Sequence, residues 1–290
     1  MWHHDLGLLY REQASFYAGQ YPAAEARGEL TLAAGHQSDY PPYSFPLAMP
    51  WLLPGLGWGA ARVWFTACQL AAAAVVVAFA WMRGREENAR LGWLLAGGVL
   101  AMTGLRADLL FGNYGLLMTA LLVAMGWALE RGRWSMAGVA WVGSLLKPQM
   151  GWLFAMLFLS RRGWRVLVAA AVALAALALV ACWWTDVTLL DVVRSKYSSR
   201  VSVMMLYPER ISLVSVLTSA GMDAGLALPL CALGGIGAAA VVLLTRLRTA
   251  TPLARAALVA TINRICTYHN ACDDLLLVFA LVLLGRQAWA

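Results

Sequence analysis

The side chains of this sequence that are best suited to proton transfer, the carboxylates and imidazoles, are sorted to one side of a predicted membrane. When the apolar stretches are threaded alternately through a bilayer, twelve of the fifteen acidic residues and all four histidines fall opposite the arginine-rich turns. We call this side the outer face. It is where the sequence predicts chemistry, and its acids include Asp5, Asp39, Asp108, Asp273 and Asp274.

The apolar stretches themselves require a membrane. Hydrophobic residues make up 61% of the 290 residues and charged residues only 13%, whereas about a quarter of a soluble domain is charged. Runs that approach the ~20 residues needed to cross the hydrocarbon core predict an all-α polytopic protein, a single transmembrane domain over 1–290. We predict about nine transmembrane helices, at 60–82, 91–105, 114–129, 134–146, 152–159, 166–184, 226–245, 253–265 and 274–284.

The distribution of charge sets the orientation of these helices. One set of turns carries twelve arginines against three acids, a net charge of +9, and the outer face has a net charge of −3. The positive side is expected to be cytoplasmic, which makes the outer face periplasmic or extracellular for a protein of the inner or plasma membrane. Lysine is almost absent and the arginines lie in short turns, so the overall charge of +7 is a topology signal and excludes nucleic acid as a partner.

The outer face has two large predicted loops. Residues 1–44 contain a predicted surface helix at 6–18, and residues 185–225 form the second loop. Nine spans place the N-terminus outside, yet no apolar stretch precedes Asp5. Either a first transmembrane helix precedes Met1, or the polar residues 1–44 are translocated without one; we expect the first, because long polar segments rarely cross a membrane unaided.

Four motifs, in this order, make the sequence resemble glycosyltransferase family 87, a member of the GT-C superfamily of polytopic sugar transferases. Each motif lies on the predicted outer face, and together they extend over most of the chain. They are Asp5 with an aromatic-rich helix, Tyr21-Pro22 and Tyr40-Pro41-Pro42; the segment 110–117, with Asn113 where the family commonly has Gln; the helix break Lys147-Pro148; and Tyr268-His269 with Asp273.

The resemblance implies a GT-C-like helical bundle that transfers a sugar, mannose or another hexose or pentose, from a polyprenyl-phosphate carrier. The acceptor is a hydroxyl of a lipid or glycan on the outer face, and the transfer inverts the anomeric carbon. Asp5 occupies the family's catalytic position and is the expected general base. The leaving phosphate needs cations and hydrogen-bond donors. The expected substrate-binding residues are His269, Lys147, Arg106, Arg210, Asn113, Tyr40 and Tyr268.

We expect neither a cofactor nor a metal. The sequence contains no Asp-x-Asp motif of the kind that holds the metal of a nucleotide sugar. Cys266 and Cys272 bracket His269, but their spacing matches no zinc signature. The predicted partners are therefore the lipid-linked donor, its acceptor and membrane lipids.

Each candidate also has a structural interpretation. Asp5 is suited to a helix N-cap, and Lys147 to extending its ammonium to the headgroups. Other interpretations are an interfacial position for His269, an ion pair between Arg106 and Asp108, and either a divalent-ion site or an acidic helix start for Asp273 and Asp274.

Two other functions stay open from the sequence. A transporter or lipid flippase would place its ionisable residues near the bilayer midplane, between repeated halves. An inactive or truncated glycosyltransferase paralogue would act only as a membrane scaffold.

Overall fold

The computed structural model confirms a helical protein. It describes residues 58–111, 113–160, 162–185, 212–245, 249–267 and 271–290, together with residues 47, 50, 188 and 247. Within these ranges every regular element is an α-helix or a 3-10 helix. The predicted surface helix at 6–18 and most of the two predicted outer loops lie outside the described residues.

The first half of the described chain is a series of helices joined by short turns. They are α1 (Trp58–Arg85), α2 (Ala89–Ala101), α3 (Thr103–Phe111), α4 (Gly115–Glu130) and α5 (Trp134–Ser144). Helices α1 and α2 approach closely through two glycines, because a Cβ on Gly84 would lie 2.8 Å from the Cα of Gly92. Small residues at such crossings allow helices to pack tightly within lipid.

The second half contains two 3-10 helices. Short helix α6 (Pro148–Gly151) continues directly into the first 3-10 helix (Trp152–Phe158). The second 3-10 helix (Ala271–Leu277) continues into α11 (Val278–Trp289). Between them lie α7 (Gly163–Thr185), α8 (Leu213–Ser219), α9 (Ala224–Thr245) and α10 (Pro252–Cys266). Helix α8 falls within the predicted second outer loop, where Ser212 and Ser215 form a capping box at its start.

The structure does not confirm nine transmembrane helices. Three helices are long and apolar enough to cross a membrane, over Val63–Arg85, Gly163–Trp183 and Gly225–Thr245. A fourth span is formed by α2 and α3 if the pair, bent by 49° at the break between them, counts as one. Among the described residues the structure thus supports three or four spans, and the other predicted spans correspond to shorter helical segments.

The shorter segments are apolar because they form the protein core. Only 22–28% of the apolar window of each long span is buried within the protein, so these helices face lipid. In α4, by contrast, Leu116, Met118, Leu122 and Met125 are all fully buried. Hydropathy does not distinguish a side chain buried by lipid from one buried by protein, so an apolar run by itself does not show that a segment crosses the membrane.

Charged residues join the helix ends on the arginine-rich side. Arg83 contacts Glu86, with Nη1 and Oε1 2.9 Å apart, and Glu130 at the end of α4. Arg286 of α11 contacts Glu86 at 2.6 Å and Glu87 at 2.5 Å. We call these five residues the exposed ion network. It ties together the ends of α1, α4 and α11.

Candidate functional site

A cluster of polar side chains lies within the helical core. We call Gln69, Asp108, Asn113, Lys147 and Asp273 the buried polar centre. Lys147 is 2% exposed; its Nζ donates a hydrogen bond to Asn113 Oδ1 at 3.0 Å and forms an ion pair with Asp273. The side-chain amide of Gln69 donates to the backbone carbonyl of Asn113. Helices α1 and α3, the start of α4, the α5–α6 connection and the second 3-10 helix therefore meet at one point.

Lys147 reaches the centre because the chain breaks before Pro148. Proline has no backbone N–H to donate, and here it occupies the first turn of α6. The indole Nε1 of Trp141 donates to Gly151 O at 2.9 Å, one turn beyond the break. Asn263 Nδ2 donates to the carbonyls of Gln149 and Met150, at 2.8 and 3.0 Å. Irregular backbone is tolerated at membrane depth when the protein satisfies its polar groups in this way.

Two adjacent carboxylates of the second 3-10 helix have different partners. Asp273 pairs with Lys147 in the core, and Asp274 pairs with Arg264 of α10. Both acids lie in the first turn of this helix, as the acidic-start interpretation predicts. In the described part of the chain no group of three or more metal-ligating side chains occurs, so the divalent-ion interpretation gains no support.

Asp108 is the least compensated member of the centre. Its side chain is fully buried, and neither carboxylate oxygen forms a well-aligned hydrogen bond with a described residue. The carboxylate lies against Gly115, the first residue of α4, where a Cβ would be 2.6 Å from Oδ2 and 2.9 Å from Oδ1. Burial disfavours its negative charge most strongly, and Asp273 also opposes it, whereas Lys147 and the backbone N–H groups of Gly115 and Leu116 at the N-terminus of α4 favour it. Only glycine fits beside this carboxylate.

The structure brings together two of the predicted site residues, Asn113 and Lys147. The snorkelling interpretation of Lys147 is wrong, since its side chain is enclosed by protein. The predicted ion pair between Arg106 and Asp108 is also wrong: Arg106 is exposed and Asp108 is buried. Residues two positions apart on a helix point to different sides, which explains the difference.

The other predicted site residues lie outside the described part of the chain. They are Asp5, Tyr40, Arg210, Tyr268 and His269.

Three members of the centre were not predicted in these roles. Asp108 and Asp273 were assigned to other interactions, and Gln69 was not singled out. The sequence contained a signal for such residues, because polar side chains within apolar stretches are costly to bury and are usually functional. Gln69 is the only amide or charged side chain between Arg62 and Arg83.

The buried polar centre and the exposed ion network are well separated. Gln69 and Arg83 are fourteen residues apart on α1, about 21 Å at 1.5 Å per residue. Gly115 and Glu130 are fifteen residues apart on α4, about 22 Å. Two helices thus give the same separation, which is shorter than the ~30 Å hydrocarbon core.

Apolar spans around a buried charged centre define an integral membrane protein whose polar core serves a function other than anchoring. Residues 39–267 match the model of glycosyltransferase family 87, and the chain belongs to this family. The predicted resemblance is confirmed: the protein is a membrane glycosyltransferase, acting on a sugar donor and an acceptor. The match includes Asn113 and Lys147 but not Asp5 or His269. Neither the curated proteins nor the solved structures contain a significant match.

Proposed function

We propose that the protein transfers a sugar, mannose or another hexose or pentose, from a polyprenyl-phosphate carrier to a hydroxyl of a lipid or glycan on the outer face. The observation that carries the proposal is the buried polar centre, built from Asn113 and Lys147 within the family-matched residues. A lipid-linked donor holds its reactive phosphate at the membrane surface, so its enzyme needs polar groups close to that surface.

The depth of the centre supports the outer side. The exposed ion network lies on the arginine-rich side, which the positive-inside rule makes cytoplasmic. With the exposed ion network at the inner boundary of a ~30 Å hydrocarbon core and α1 upright, a separation of about 21 Å corresponds to a centre about 9 Å below the outer boundary. The exposed side chain of Arg106 extends from the same part of α3.

The proposed reaction is a single displacement. The acceptor oxygen forms a bond to the anomeric carbon while the bond from that carbon to the phosphate oxygen breaks. Polyprenyl phosphate leaves with the electron pair, and the Asp5 carboxylate takes the proton of the acceptor hydroxyl. Attack opposite the leaving group inverts the configuration. His269, Arg106 and Arg210 stabilise the charge that grows on the phosphate, and Tyr40 and Tyr268 contact the donor.

We assign Lys147 a positioning role within this site. Its ammonium is paired with Asp273 and is also attracted by Asp108, so its charge is balanced within the centre. Through the hydrogen bond to Asn113 it holds the turn that connects α3 to α4. Direct contact with phosphate would require this pairing to break.

The proposed function is tested with purified protein in vesicles and a panel of polyprenyl-phosphate donors carrying mannose, glucose or arabinose. We expect one donor to be consumed, with inverted product, and transfer to be unaffected by EDTA. Asp5→Asn should abolish transfer with folding intact, whereas Asp39→Asn, a matched change in the same predicted loop, should retain it.

Different results would contradict the different parts of the proposal. Turnover by Asp5→Asn would remove Asp5 as the base. A wild-type protein that consumes no donor of the panel would overturn the donor class.

A further inference from the structure

The buried carboxylate of Asp108 destabilises the fold, and no step of the proposed reaction involves it. A buried carboxylate without hydrogen-bond donors is destabilising, and native proteins satisfy nearly all such groups. Asp108 is fully buried; the backbone N–H groups of Gly115 and Leu116 lie close enough to favour its charge, but neither oxygen forms a well-aligned hydrogen bond with a described residue. A hydrogen-bond donor from a bound ligand would satisfy them.

The charge of the centre narrows the class of that ligand. Asp108 and Asp273 supply two carboxylates for the single ammonium of Lys147. The ammonium of Lys147 is already balanced by Asp273, so the centre has no positive charge left to attract a phosphate or another anion close to Asp108. A metal ion is also disfavoured, since the described residues hold no third metal-ligating side chain beside the two carboxylates. A neutral molecule rich in hydroxyl groups fits best, because each hydroxyl can donate to a carboxylate and accept from an ammonium or amide.

We infer that Asp108 accepts a hydrogen bond from a hydroxyl of the transferred sugar. The inference rests on the proposed function and adds a substrate-binding residue to it. Helix α3, which carries Asp108, follows the 49° bend after α2 and exposes Leu109 and Leu110 on its other side. Because a Cβ on Gly115 would already lie 2.6 Å from the carboxylate, a sugar between Asp108 and the N-terminus of α4 requires α3 to move about this bend.

The test combines Asp108→Ala with monodeoxy versions of whichever donor the panel identifies. In the wild-type protein, removal of the contacted hydroxyl should lower kcat/KM by about 10- to 100-fold, as expected for a hydrogen bond to a charged group. In Asp108→Ala the same deoxy donor should lower kcat/KM by no more than about twofold, the limit for sites that do not interact. Asp108→Asn keeps a neutral acceptor, so the loss of kcat/KM that the deoxy donor causes in this variant should lie between those in the wild type and in Asp108→Ala.

A second variant and a second measurement separate binding from folding. Thr119→Val removes a buried hydroxyl that donates to Gly115 O at 2.9 Å, one turn along α4, and should leave the deoxy-donor preference unchanged. Asp108→Asn should unfold at the same temperature as the wild type or higher, because the ammonium of Lys147 is paired with Asp273 and cannot fully compensate a second buried carboxylate.

Two results would overturn the inference. In one, the fold-losses in kcat/KM from Asp108→Ala and from every deoxy donor multiply, which would show that Asp108 and the missing hydroxyl do not interact. In the other, Asp108→Asn unfolds at a clearly lower temperature, which would make Asp108 structural. A wild-type protein inactive with all donors is a different result, and it would refute the proposed function on which the inference rests.

Discussion

The two charged clusters of the protein both pair basic with acidic side chains, but one lies in contact with water and the other is buried. In the exposed ion network, two arginines share three glutamates, and the side chains are 15–45% exposed. In the buried polar centre, one lysine serves two carboxylates, and the side chains of Lys147 and its partner Asp273 are at most 2% exposed. Water and alternative partners can replace any contact of the network. Nothing replaces a contact of the centre, so its residues should be sensitive to substitution.

The energetics of ion pairs make this difference quantitative. Exposed pairs contribute about 0–1 kcal/mol each, because water screens them. Removal of one partner from a buried pair leaves an uncompensated charge and costs about 3–5 kcal/mol. The two clusters therefore allow matched substitutions, one in each region of the same molecule.

The largest difference is expected between Lys147→Met and Arg286→Met. Lys147→Met leaves Asp273 and Asp108 without their cation and should lower the free energy of unfolding by about 3–5 kcal/mol. Arg286→Met should lower it by no more than about 1 kcal/mol. Denaturant unfolding in detergent micelles, followed by tryptophan fluorescence, measures both.

A double variant tests the cause of this loss. Lys147→Met combined with Asp273→Leu should recover part of the stability, since it removes the charge left unpaired. Equal losses in the free energy of unfolding for Lys147→Met and Arg286→Met would show that burial does not make the ion pairs of the centre more important for stability than those of the network.

Gly115→Ala should have the next largest effect. Its Cβ would lie 2.6 Å from the Asp108 carboxylate, and overpacking of this kind costs up to about 3 kcal/mol. The matched control is Gly126→Ala on the same helix, where a Cβ would meet nothing within 4 Å. That control should gain about 0.5–1 kcal/mol from helix propensity. A stabilising Gly115→Ala would contradict the contact between Gly115 and Asp108.

Two asparagine substitutions compare a buried asparagine that supports the helix break beside the centre with an exposed asparagine at the start of α2. Asn263→Ala deprives the carbonyls of Gln149 and Met150 of their donor and should cost about 2 kcal/mol. Asn88→Ala removes an exposed N-cap, whose side chain accepts a hydrogen bond from Arg90 N, and should cost about 1 kcal/mol.

Activity separates these two asparagines further. Sugar transfer should fall in Asn263→Ala, because Lys147 loses its fixed position, and should be unchanged in Asn88→Ala. Normal transfer by Asn263→Ala would show that the break before Pro148 needs no support from α10.

The smallest expected effect is that of salt. Raising NaCl from about 0.1 M to about 1 M shortens the Debye length from about 10 Å to about 3 Å. The stability difference between wild type and Arg286→Met should disappear in high salt, and that between wild type and Lys147→Met should persist. Thermal unfolding at both salt concentrations measures this, and a salt-sensitive Lys147→Met difference would mean that water reaches the centre.

Sequence reasoning located most of the described helices and the family. The helices at 60–82, 166–184 and 226–245 were predicted within a few residues of α1, α7 and α9, because a long apolar run requires a helix in lipid. The predicted number of nine spans is not confirmed, because α4 and the segment after Pro148 are shorter and pack inside the protein.

The candidate site was predicted less completely than the fold. Asn113 and Lys147 were singled out as polar residues at helix breaks, and the structure brings them into contact. Their link to Asp273 was not predictable, because it joins residues 126 positions apart and has no local pattern. Asp108 was assigned to Arg106, its neighbour in sequence, although helix geometry directs the two side chains apart.

By itself, the sequence determined that this protein is helical and embedded in a membrane, and it predicted a sorting of charge across that membrane, since hydropathy and arginine placement act locally along the chain. Tertiary structure alone decided which apolar helices face lipid and which form the core. It also decided which acids face water and which share the single lysine of a buried centre. The physical reason is that the energy of a charge depends on the neighbours and water around it, and these are set only when distant segments pack together.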